Sequence, residues 1–122
     1  MVAAITRAGL EADVARIASR FHEDQHGCKP ARTIAHIVDD MVIVRSSSCF
    51  TLTEQNLTST TDGRKIVKSA RIELRSLTRR HIEAQVSAIL GVKVIRSYWD
   101  LDVRIGEQVE VYILESSLEP EA

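Results

Sequence analysis

Arg64 to Leu90 carries one uninterrupted helical pattern, and this stretch does most to limit the folds open to a chain of 122 residues. At ~1.5 Å per residue it predicts a helix roughly 40 Å long. Val67, Ala70, Leu74 and Leu77 form an apolar stripe along it, continued with a small drift by Ile82, Val86, Ile89 and Leu90. Gly91 stands where a helix-ending glycine belongs. The economical packing lays such a rod across one face of a sheet.

The segments on either side supply that sheet. Thr33 to Val38 and Met41 to Arg45 are rich in Ile and Val and separated by Asp39-Asp40, a tight hairpin. Val92 to Trp99 and Gln108 to Leu114 read as a second hairpin, joined by Asp100 to Glu107. In its last strand Val109, Val111 and Ile113 alternate against Glu110, Tyr112 and Leu114. Gly9 to His22 predicts an amphipathic first helix, with Leu10, Val14, Ile17 and Phe21 on one face, ended by Gly27 and Pro30. Thr51 and Glu54 have the spacing of a capping box, so a short helix starts there, and Thr58 to Gly63 is a loop.

The fold class expected is α+β, in the order helix, β-hairpin, short helix plus long helix, β-hairpin. The four strands form a mostly antiparallel sheet with the helices packed on one face. The whole of 1–122 is one domain, with a core from about 9 to 115 and a frayed tail over 116–122. A sheet covered on one side leaves its other face or an edge open, and a symmetric homodimer is the commonest remedy.

Composition excludes several classes. With 44% hydrophobic and 27% charged residues the chain is not disordered as a whole. No apolar run approaches the ~20 residues of a membrane span, and no signal peptide is visible in Met1 to Leu10. The expectation is a cytoplasmic protein in which Cys28 and Cys49 are free thiols, a disulfide between them being the alternative. The net charge of −1 conceals a basic segment from 64 to 83 and an acidic stretch from 93 onward.

Candidate chemistry is sparse. His22, His26 and Cys28 have the residue types of a metal loop but lack a second ligand pair, so no metal, cofactor or catalytic residue is assigned. The outstanding feature is basic. Arg64, Lys68, Arg71, Arg75 and Arg79 step by four, three, four and four and share one helical face. That face is read as a binding surface for an acidic protein partner, or for a small anion or nucleotide if the domain is a sensor. Nucleic acid is disfavoured by the near-neutral balance of the domain. If the stripe is exposed, reversing Arg71 and Arg75 to glutamate leaves the fold intact. Tyr98 and Trp99 point to opposite sides of a strand, so one of them is available as an interface anchor.

Several segments together resemble the small bacterial domains called MpsC-like. They are Gly27-Cys28-Lys29-Pro30, Asp39 to Val44, Leu52-Thr53-Glu54, Val67 to Arg75, Leu90 to Val94, Ser97-x-x-Asp100-x-Asp102, and Val109 to Glu115. The resemblance spans about 10 to 115. Glu54-Gln55, and Ser46 to Cys49, differ from the usual pattern. The resemblance implies a soluble accessory member of a cation-translocating, membrane-potential system linked to inorganic carbon uptake, and it brings no catalytic residues. The expected function is a non-catalytic accessory or regulatory interaction module, a homodimer, with a membrane transport complex among its partners.

Overall fold

A computed structural model describes residues 6–118. In chain order these form α1 (Arg7–His26), β1 (Thr33–Val38), β2 (Met41–Ser47), α2 (Leu52–Leu57), α3 (Thr61–Leu90), β3 (Val94–Asp102) and β4 (Glu107–Leu114). The sheet is antiparallel throughout, in the order β1-β2-β4-β3. Two hairpins distant in sequence are thus joined edge to edge by β2 and β4.

Local chemistry sets the boundaries. Thr6 caps α1 by accepting from the Gly9 N–H at 2.9 Å, and Thr51 and Glu54 form the expected capping box at α2. Thr60 caps α3, so this helix takes in Thr61 to Gly63, which the sequence had suggested were loop. Gly91 ends it in the left-handed conformation at φ 68°. Asp39 takes φ 53° in the two-residue turn of the first hairpin, a conformation that short polar side chains tolerate.

α1 starts earlier and ends later than its apolar spacing suggested, and β2 runs on to Ser47. β3 begins at Val94, not Val92, continues to Asp102, and shifts register between Val94 and Arg96. The tail differs from its expectation as far as 118. Leu118 packs against the core, and its N–H donates to the Asp39 carbonyl at 3.4 Å. Residues 119–122 lie outside the described part.

The core joins Leu10, Val14, Ala18 and Phe21 of α1 to Ile82, Val86 and Leu90 of α3. Both groups rest on Ala35, Ile37, Val42, Val44, Tyr112 and Leu114 of the sheet. Both long helices therefore lie on one face. The C-terminal half of α3 follows the predicted apolar stripe, and of the stripe's earlier members only Val67 is buried. Further up, Ala70 and Leu77 are exposed, Leu77 by 74%, and the buried positions are Gly63, Val67 and Arg71. The middle of α3 turns its arginines inward.

Candidate interaction surface

The basic face expected to meet solvent is largely occupied from within. Arg71 is 3% exposed and grips Glu54 with two bonds, Nε to Oε2 and Nη2 to Oε1, each 2.7 Å. It also donates to the Cys49 carbonyl at 2.7 Å and the Ser48 hydroxyl at 3.2 Å. Burial opposes ionisation of Glu54, but the Arg71 guanidinium and the Thr51 N–H outweigh it and hold the carboxyl down to about 2. Arg75 pairs with Glu110 at 2.7 Å and donates to the Tyr112 hydroxyl at 3.1 Å. Burial, followed by the Glu110 charge, pushes the Tyr112 phenol well above its ordinary range.

The ends of the stripe are more open. Lys68 reaches Asp100 at 2.6 Å and the Leu101 carbonyl. Arg64 donates to the Thr58 carbonyl at 3.0 Å, and the Arg79 side chain is 52% exposed, 3.9 Å from Glu83. An anion approaching Arg71 would have to displace the half-buried Glu54 carboxylate, and one approaching Arg75 the buried Glu110 carboxylate. Beside these pairs, between α1, α3 and the sheet, lies a recess of about 30 Å³ lined by His22, Arg71, Arg75 and Trp99 among others. That holds a water-sized guest; a metabolite site needs roughly ten times more.

The histidine loop is likewise occupied. His22 is buried and its Nε2 accepts from the Cys49 N–H at 3.2 Å. Burial first, then Arg71, lowers the pKa of His22, and the same two causes take His26 down to about 4. The free thiols expected from the sequence are not found: Cys28 and Cys49 form a disulfide with Cα atoms 5.9 Å apart. The His22–Cys49 bond accounts for this, since it holds the β2–α2 connection against the end of α1. Among the described residues no group of three or more His, Cys, Asp or Glu is placed to hold a metal ion.

The other side of the sheet offers the open surface. On β4 it is Gln108, Glu110, Tyr112 and Leu114 that are buried toward the helices. Strand alternation then puts Val109, Val111 and Ile113, the more apolar set, on the far side. Cross-strand register assembles three rows there. One is Val38, Met41, Ile113 and Arg96; the next is His36, Ile43, Val111 and Tyr98; the third is Ile34, Arg45, Val109 and Asp100. Among the described residues no helix covers the β1, β2 and β4 members of these rows, and only at the β3 edge does α3 reach round, through Lys68 to Asp100. Tyr98, 57% exposed, is the outward member of the aromatic pair. Trp99 faces the helices, its indole N–H 3.4 Å from Gln108 Oε1. A contiguous uncovered apolar strand face of this kind is a candidate interaction surface.

The sequence had pointed to Tyr98 but not to Ile43, Val111, Ile113 or Arg96. The available signal was the alternation in β4, where two sets compete for the core. Glu110 faces inward because Arg75 is there to receive it.

Residues 6–116 match the family described as "Na+-translocating membrane potential-generating system (MpsC)". Over 114 residues the chain is 25% identical to the "Uncharacterized protein YbcI" of Bacillus subtilis (strain 168), covering 93% of this chain and 92% of that one. No solved structure matches.

Proposed function

The chain belongs to the MpsC family, and from that premise we propose that it is a non-catalytic accessory module that docks through the uncovered face of its sheet. The observation that carries this reading is the reversal in β4. Val109, Val111 and Ile113 face away from the helices while Glu110 is buried beside them. A domain that leaves its more apolar strand face uncovered gains by covering it with another protein.

The family description names an ion-translocating system at a membrane. Among the described residues no helix is long and apolar enough to cross one. In our reading the domain works beside that system, as a regulatory subunit that other components recruit. The charged groups in its interior are structural, because each is matched to a partner of its own chain.

The test places a photo-crosslinking amino acid at position 111 on the uncovered face or at position 84 on the outer side of α3, in living cells. Adducts at 111 that do not form at 84 are expected. A protein that crosslinks equally at both positions, or at neither, overturns the reading.

A further inference from the structure

The uncovered face has its own charge pattern, and we propose that its occupant is a second copy of this chain, stacked face to face about a two-fold axis that crosses the strands near Tyr98. The inference rests on the docking reading above and names the partner.

Edge-to-edge pairing is hindered on both sides of the sheet. On β1 the outward Ile37 N–H donates to Glu11 Oε2 at 2.8 Å. On β3 the Leu101 carbonyl accepts from Lys68, and the strand is interrupted by its register shift. These are devices by which proteins blunt sheet edges. The face is left as the surface through which the sheet can bury more area. Four strands ~4.8 Å apart and six to nine residues long give a face roughly 20 Å across. Two such faces, roughened by side chains, cover on the order of 1,000 Å², the lower threshold of a specific interface.

Charge decides how a second copy sits. Stacked sheets lie ~10 Å apart with strands within about 30° of each other. A two-fold in the contact plane then runs either along the strands or across them. An axis along the strands sets β1 over β3 of the second copy. Arg96 would then lie on Val38, its charge desolvated against an apolar side chain without a counter-ion, and Asp100, paired with Lys68 of its own chain, would lie on Ile34 with no charge of the second copy to meet it.

An axis across the strands, through the row His36, Ile43, Val111 and Tyr98, exchanges the rows on either side. Ile113 then meets Val109 of the second copy, Val38 meets its Ile34, Met41 meets its Arg45, which keeps its own Glu107, and Arg96 meets its Asp100. Arg96, Tyr98 and Asp100 alternate along one strand, so opposite charges flank an aromatic centre and the strand complements itself. Both charges are available. The Asp100 side chain is 84% exposed, and only its Oδ1 is engaged, by Lys68 and the Leu101 N–H. Arg96 uses its Nε on the Tyr98 hydroxyl at 3.1 Å, and its terminal nitrogens have no partner among the described residues.

The test is charge complementation, read by native mass spectrometry and light scattering. Wild type should give about twice the 13.6 kDa chain mass. Arg96→Asp alone and Asp100→Arg alone should each weaken the dimer at least ~100-fold, because like charges then face each other. Mixed one to one, they should form a heterodimer, since both contacts between positions 96 and 100 across the axis again join opposite signs. Circular dichroism checks that each variant is folded. Single variants that stay dimeric, or a mixture that stays monomeric, overturn the proposed register, as does a monomeric wild type. In those cases Ile43→Lys, beside the crosslinker at 111, separates the two levels. If it removes crosslinked adducts to another protein, the docking face stands and only the identity of its occupant falls. If it changes neither mass nor adducts, both fall.

Discussion

Arg75 Nη1 lies 2.7 Å from Glu110 Oε2, tying the middle of α3 to the inner face of β4, with side chains only 12% and 3% exposed. The Tyr112 hydroxyl bonds to both partners, so three polar groups close on one another at the level where the apolar core gives out.

A buried pair of this kind is costly to break because it leaves a charge without its partner. Arg75→Ala should lower unfolding free energy by about 3–5 kcal/mol in urea titrations. Arg75→Met combined with Glu110→Leu should cost less than the two single changes added together. Strict additivity would show that the pair is not coupled. The same logic revises the expectation for Arg71 and Arg75: reversing both to glutamate should unfold the domain.

Gly63 offers a test with an unusual sign. In an exposed helix, Gly→Ala stabilises by roughly 1 kcal/mol. Here a Cβ would lie 1.8 Å from the Leu57 carbonyl oxygen, a clash with backbone. Gly63→Ala should therefore destabilise by about 1–3 kcal/mol and splay α2 from α3. A higher melting temperature for this variant would refute the contact.

Reduction of Cys28–Cys49 should destabilise the domain without unfolding it. The bond closes a loop with a sequence separation of 21, worth about 3 kcal/mol through the entropy of the unfolded chain. The core of α1, α3 and the sheet does not depend on it. The urea midpoint should drop on adding a thiol reductant and remain unmoved in Cys28→Ser/Cys49→Ser. A midpoint indifferent to reductant would show that the chains in solution are not crosslinked.

Acid should weaken the fold in two stages. His22 and His26 have pKa values lowered below 6.5, so below that pH the unfolded chain takes up protons that the folded one refuses. Stability should fall as pH drops from about 6.5 toward 4. Glu54, held down to about 2 from 4.5, contributes stability above 4.5 that is lost between those values. The thermal midpoint should decline from pH 6.5 downward. A rise between 6.5 and 5 would contradict the neutral, buried state of His22.

The architecture was legible because it is written in local chemistry. Asp39-Asp40, the Thr51–Glu54 box and Gly91 act within a few residues, and each appears where its pattern said. The facing of side chains was less legible. The periodicity of α3 was drawn from its apolar residues, which placed Leu77 inside and the arginines outside. Ion pairing reverses both, since Arg71 and Arg75 find Glu54 and Glu110 at sequence distances of 17 and 35. A helical pattern carries no sign of a counter-ion that far away. The disulfide was hidden for the same reason, because Cys49 meets Cys28 through a loop whose course depends on His22.

The strand order has a consequence for how the chain is made. β2 emerges from the ribosome early, yet its partner on the inner side, β4, comes last, with Arg45 and Glu107 62 residues apart. Until Glu107 to Leu114 have been synthesised, one side of β2 has no strand to bond to. The first hairpin must therefore wait, through the making of α2, α3 and β3, with an unsatisfied ladder. A nascent chain halted before position 107 is the form of this protein most apt to aggregate, and the one most in need of a chaperone.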